Sequence, residues 1–187
     1  MGMSSPEWSR YMHDVIGLAE SPDEIAEEVV RRMQARYGAE LPLIDGAVAA
    51  VRRLEGAFRL GLASSSNRPL IDLVLEKSGL ARSFAATVSS EEVARGKPAP
   101  DVFLEAAHRL DVVPERSAAV EDSANGIRAA RAAGMRVLAI PNRRYPPPPD
   151  ALELAGVVLP SLAELTVEAV SGADVAPVPP TSSPPRA

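Results

Sequence analysis

No cysteine occurs among the 187 residues, which excludes disulfides, thiolate catalysis and cysteine-based zinc sites. Imidazole is nearly as scarce: His13 and His108 are the only two histidines, so any metal is expected to be a hard ion held by oxygen. No run of about 18 apolar residues is present, and residues 1–20 are too polar for a signal peptide. Neither a membrane span nor export is therefore expected, and the cytoplasm is the expected compartment. Positive charge is short as well. Twenty Lys and Arg stand against 25 Asp and Glu, for a net charge of -5 and an isoelectric point near 5.2. No Lys/Arg cluster offsets that balance, so neither nucleic acid nor an anionic membrane is an expected partner.

What is present suits one ordinary domain. At 46% hydrophobic residues the chain can bury a core and carry a small appendage. Residues 4–18 and 21–37 read as a helical hairpin. The second helix is announced by Ser21-Pro22-Asp23-Glu24, which combines an N-cap serine, proline in the first turn and a capping-box glutamate. Ile25, Val29, Met33 and Tyr37 mark its buried face, and Gly38 is the expected stop. After Pro42 the pattern changes. A helix is expected over 45–54, followed by strand and helix in alternation: strands at 58–63, 84–88, 118–120, 136–140 and 157–159, helices at 68–79, 102–110, 126–133 and 161–170. Repeated β-α units imply a parallel sheet covered on both faces. Residues 146–149 read as a stiff loop, and residues from 171 onward, rich in Pro, Ser, Ala and Val without periodicity, as a disordered tail.

Ligands of such sheets gather beyond the carboxyl ends of the strands, among loops and helix N-termini. Three polar segments fall there. Ser64 directly follows one strand and Ser65, Ser66 and Asn67 open the next helix, offering hydroxyl and amide donors to an anion; the plainer reading is helix capping by Ser66 or Asn67. Lys97 lies between Gly96 and Pro98, in a loop whose prolines fix its path; alone it would read as a solvated loop lysine. Glu121 and Asp122 end an apolar strand, where adjacent carboxylates repel unless a cation or hydrogen-bond donors stabilise them. Magnesium suits them, although Asp122 or Ser123 as a helix cap reads equally well.

Taken in order, the run ending in Ser64-Ser65-Ser66-Asn67, then Gly96-Lys97-Pro98-Ala99-Pro100-Asp101, then Val120-Glu121-Asp122-Ser123 resemble the second, third and fourth motifs of haloacid dehalogenase-like phosphohydrolases. The resemblance covers residues 2–165 and is closest to the helical-cap subgroup, which includes β-phosphoglucomutase-like phosphatases and mutases. It implies an α/β fold with a Rossmann-like parallel sheet flanked by helices. Residues 1–41 would be part of a helical cap, with residues 2–5 on its substrate-facing loop, 42–170 the core and 171–187 the tail. It further implies hydrolysis of a phosphate ester of a small phosphorylated metabolite through an aspartyl-phosphate, with Mg²⁺ as cofactor; a monomer is expected, although the sequence leaves oligomeric state open. Lys97 would neutralise the transferred phosphoryl group, Ser64, Ser65 and Asn67 would help hold phosphate, and Glu121 and Asp122 would anchor the metal.

The first motif of that family, an Asp-x-Asp pair ending an N-terminal strand, has no counterpart here, since no Asp-x-Asp occurs in the sequence. That strand is central in the family, flanked by those that carry Ser64 and Glu121-Asp122. A gap between the two flanking strands is therefore expected, together with an apolar stripe exposed on the hairpin. The chain is expected to be an incomplete version of a longer protein and to be inactive as it stands. Two alternatives stay open: a phosphosugar mutase, which the retained residues do not separate from a phosphatase, and a non-catalytic module that binds phosphorylated ligands.

Overall fold

Ser4 and Ser21 open the first two helices with one device. The Glu7 carboxylate accepts from the Ser4 N–H and hydroxyl, each at 2.7 Å, and Glu24 does the same for Ser21 at 2.9 and 2.7 Å; two otherwise orphaned groups are satisfied at each start. The structure, a computed structural model, describes residues 4–172; the expectations for Gly2, Met3 and the tail beyond 172 lie outside the described residues. Helix α1 (Ser5–Tyr11) widens into a π-helical segment, Met12–Ile16, which closes at Gly17 with φ +83°, so the helix expected over 4–18 has two parts. Helix α2 (Pro22–Ala39) does not stop at Gly38. No left-handed turn is made there, and the helix ends instead at extended Glu40, where Pro42 disfavours helical backbone at Leu41. Of the expected buried face only Ile25 is buried; Val29, Met33 and Tyr37 are half-covered. Tyr11, Val15, Ile16 and Leu18 are exposed, which leaves apolar surface on the hairpin.

Strand and helix then alternate: α3 (Ala47–Glu55), β1 (Gly61–Ser64), α4 (Arg68–Ser78), β2 (Ala86–Ser89), α5 (Asp101–Arg109), β3 (Ala118–Glu121), α6 (Ala124–Ala132), β4 (Arg136–Ala139), α7 (Pro149–Leu152), β5 (Val157–Val158) and α8 (Val167–Ser171). The strand expected from 58 begins later because Ala57 and Phe58 still bond back to Leu54 off the end of α3. Pro149, expected in a loop, opens α7. The helix expected over 161–170 is broken into a 3₁₀ turn, Leu162–Glu164, and α8, whose Thr166 hydroxyl caps the Ala169 N–H.

All strand pairs are parallel. Side-chain alternation sends β4 in two directions: Val137 and Ala139 join Phe103, Ala106 and Ile127 under α5 and α6, while Leu138 joins Ala50, Leu54 and Val170 under α3 and α8. Both faces are thus covered. The sheet itself is split. β1 pairs only with β2, and β3, β4 and β5 form a separate three-stranded unit. Among the described residues no strand lies between β1 and β3. A cavity of about 540 Å³ occupies that position, bounded by β1, β3, α3 and α5. Val120, in a strand that the fold should bury on both faces, is 39% exposed.

Candidate active site

The carboxyl ends of β1 and β3 face each other across this gap, and Lys97 spans them. Its ammonium donates to the Ala63 carbonyl at 3.2 Å and to the Glu121 carboxylate, and sits 4.7 Å from the centre of the Phe103 ring. Lys97 is 6% exposed, so the solvated-loop reading fails. Two backbone features bring it there. The Ala99 N–H bonds the Gly96 carbonyl at 3.0 Å, turning the chain around Lys97. Gly96 itself lies under the start of α1, where an added Cβ would meet Ser4 Cβ and Glu7 Oε2, both at 3.2 Å. The helical hairpin therefore rests on the lysine loop.

Ser64 ends β1, and its Oγ accepts the Ser66 N–H at 3.1 Å, which leaves the hydroxyl proton to donate. Behind it, Ser89 Oγ donates to the Ser66 carbonyl at 2.7 Å and Ser90 Oγ to the Ser65 carbonyl at 3.2 Å. The loop after β1 is thus pinned by the residues that end β2. Asn67 is buried, and its side-chain oxygen accepts the Leu70 N–H at 3.2 Å. It begins α4 as an N-cap.

At the other lip, Glu121 accepts from Lys97 and, at 3.2 Å, from Ser123 Oγ. Ser123, and not Asp122, caps α6 by accepting the Gly126 N–H at 3.1 Å. The Glu121 carboxylate crosses directly over Gly126, where a Cβ would collide with it. Asp122 turns the other way, toward the end of β4, and accepts from the Asn142 amide at 3.4 Å. Asn142 in turn accepts the N–H groups of Arg144 and Tyr145 at 3.0 and 3.2 Å, holding its own loop closed.

Lys97 and Glu121 are thus brought to one mouth and Asp122 to its edge, while Ser64, next to Ala63 at the end of β1, lines a separate cavity with Ser66, Tyr37 and Leu70, and Asn67 is turned into the helix. Sequence reasoning missed Ser89, Ser90 and Asn142. Nothing in their spacing marks them, since each acts on a loop distant in sequence. One cation and two carboxylates leave the mouth with a surplus of negative charge, which repels a phosphate until a divalent cation reverses the sign. Among the described residues no three His, Asp or Glu side chains form a metal cluster. Two carboxylates alone match magnesium, which keeps waters and phosphate oxygens in its remaining positions.

Residues 1–134 match the haloacid dehalogenase-like hydrolase family. The chain is 37% identical over 153 residues to hexitol phosphatase B of Escherichia coli, covering 81% of this chain and 68% of that protein. It is 35% identical over 137 residues to the fructose-1-phosphate phosphatase YqaB of Escherichia coli, covering 70% of each. Among solved structures, CbbY from Rhodobacter sphaeroides in complex with phosphate superposes with a TM-score of 0.75 at 27% identity, over 91% of this chain and 79% of that one.

Proposed function

Because the chain belongs to the haloacid dehalogenase-like hydrolases, we propose that the mouth between β1 and β3 is a phosphate-ester site, and that the esters are those of small sugars or sugar alcohols. The observation that carries this reading is the buried Lys97 ammonium, fixed between the carboxyl ends of two parallel strands with the Ser64 hydroxyl one residue away. The substrate class is supported by relatives whose names specify a hexitol phosphate and fructose 1-phosphate.

In this reading Lys97 neutralises charge on the transferring phosphoryl group. The Ser64 hydroxyl and the backbone at Ser65 hold its oxygens. Asn67 acts indirectly, by fixing where α4 starts. Asp122 and Glu121 would hold Mg²⁺, which would supply positive charge to the phosphate oxygens. The hairpin, resting on Gly96 through Ser4 and Glu7, covers the mouth and takes part in substrate choice. A carboxylate nucleophile belongs at the mouth of the gap, and without an Asp-x-Asp pair the 187-residue chain by itself turns over no phosphate ester.

Calorimetry with inorganic phosphate and Mg²⁺ tests the site. Phosphate should bind only when Mg²⁺ is present, and Lys97→Ala should weaken it by about tenfold or more, the loss of one charged hydrogen bond. Phosphate binding unaffected by Lys97→Ala would overturn the assignment. Mg²⁺-dependent release of phosphate from a hexitol phosphate by the chain alone, abolished by Asp122→Ala, would overturn the inactivity.

A further inference from the structure

We propose that Asn142 is a positioning residue that sets metal preference, favouring Mg²⁺ over Ca²⁺ by engaging one oxygen of the Asp122 carboxylate and leaving only the other free. This role rests on Glu121 and Asp122 being metal ligands, as in the function proposed above. The Ile140 N–H donates to the Glu121 carbonyl at 2.8 Å, the last bond between the ends of β3 and β4. Pro141 has no N–H with which to continue the ladder. The chain leaves the sheet there, and Asn142 comes to lie beside Asp122.

The two ends of the Asn142 amide are not interchangeable. Its oxygen accepts the N–H groups of Arg144 and Tyr145, so the NH₂ end is the one turned to Asp122, where it donates to Oδ2 at 3.4 Å. A flipped amide would set oxygen against carboxylate and deprive both N–H groups of their acceptor. The loop beyond is held in turn. Pro147 is buried, Pro148 is extended at φ -66° and ψ 158°, and Asp150 in the first turn of α7 is tied to Arg128 of α6. Asn142 is thus fixed by its own loop and directs Asp122 from that support.

At 3.4 Å the bond is long, and it aims the carboxylate more than it adds binding energy. Asp122 makes no other hydrogen bond or ion pair among the described residues, which leaves Oδ1 to a cation. Mg²⁺ is held by few protein oxygens and keeps water in its other positions, whereas Ca²⁺ collects more oxygens and readily takes both from one carboxylate. A carboxylate with one oxygen engaged suits the first ion and handicaps the second. Glu121 offers no free pair either, since its oxygens accept from Lys97 and Ser123.

The test is NMR titration of the 187-residue chain with Mg²⁺ alone and with Ca²⁺ alone, in the wild type, Asn142→Ala and Asn142→Ser. Serine keeps an acceptor for the loop N–H groups, as it does in other turns, but its hydroxyl falls one atom short of where the amide nitrogen meets Asp122. It therefore separates the aiming of Asp122 from the closure of the loop. The wild type should bind Mg²⁺ more tightly than Ca²⁺. Both variants should lose that preference by about tenfold, the lower end of what removing an outer partner of a metal ligand does, and the serine variant should melt with the wild type. A preference kept by Asn142→Ser and lost only by Asn142→Ala would overturn the proposal, because loop closure rather than the amide would then set it. So would a preference kept by both variants, which leaves the metal site itself standing, and so would a wild type that takes Ca²⁺ as tightly as Mg²⁺. Asp122→Ala tells the two levels apart: Mg²⁺ binding that it leaves unchanged would put the metal elsewhere and overturn the ligand assignment together with the role of Asn142.

Discussion

Lys97 and Glu121 form an ion pair whose side chains are 6% and 8% exposed, so neither charge is solvated if its partner is removed. Lys97→Met should therefore cost about 3–5 kcal/mol of stability, because it strands the Glu121 carboxylate. The double change Lys97→Met with Glu121→Gln should cost markedly less than Lys97→Met alone, and chemical denaturation of the single and double variants checks both. Equal costs would mean that the pair is already solvated. Gly126 makes a second prediction. Gly126→Ala keeps a helix-compatible residue in α6, yet its Cβ falls on the Glu121 carboxylate, so it should destabilise by about 1–3 kcal/mol despite the better helix propensity of alanine. It should also weaken phosphate binding by moving Glu121, a result that propensity alone would not give. Lys97 was legible in the sequence because glycine and prolines around one lysine form a narrow pattern. Gly126 was not, since a glycine in the first turn of a helix looks the same whether or not a side chain crosses above it.

Between elements, the tie that holds α4, β2 and α5 together runs through Glu92. Its carboxylate receives Arg68 from α4 and, at 2.8 Å, Arg109 from α5; Arg68 also reaches the Thr87 hydroxyl at 2.9 Å. The same carboxylate accepts the Ser89 N–H at 3.2 Å, next to the serines that brace the loop after β1. Burial is the largest single influence on Glu92 and raises its pKa, but the hydrogen bonds from Arg68, Arg109 and Ser89 together outweigh it and hold the group below its usual value of 4.5. A depressed carboxylate contributes stability that is present above its unfolded value and is lost as pH falls through its folded value. The melting temperature should therefore fall between pH 5 and pH 3, and Glu92→Gln should flatten that fall. Glu28, held at about 2 by Arg31 and Arg32, titrates lower still and is common to both proteins, so the difference isolates Glu92; parallel profiles would sink the assignment. This network was invisible in the sequence, where Arg68 read only as the start of a helix. Element types survived better than their ends. Asn67 and Gly79 bound α4 as expected because cap and left-handed turn are local chemistry. α2 overran Gly38 because a glycine stops a helix only where the chain needs a left-handed residue.

At the scale of the molecule, the alternation of apolar runs with amphipathic stretches was enough to give a parallel sheet covered on both faces, and the resemblance was enough to expect a break in it. The size and shape of that break were not legible, since they depend on whether α3 and α5 collapse into the space. They do not: about 540 Å³ stays open between β1 and β3, because each half-sheet is anchored to its own helices, β1 and β2 to α5 and β3 and β4 to α6. An open gap has a distinctive consequence for hydrogen exchange. The N–H groups of Leu62, Ala119 and Glu121 point toward β2 or β4 and are bonded within a ladder, whereas those of Gly61, Ala63, Ala118 and Val120 point into the gap. Protection should thus alternate residue by residue along both strands, with the ladder-facing amides slower than the gap-facing ones by about tenfold or more, as ladder bonds open only through larger fluctuations. Exchange measured by NMR on the 187-residue chain at neutral pH reads this directly. Uniformly slow amides along β1 and β3 would mean that the two edges have closed on each other or on another segment, and the gap would not exist in solution. Uniformly fast amides would mean that the half-sheets do not hold without a strand between them. Alternation is the signature of two stable edges with a vacant position between them.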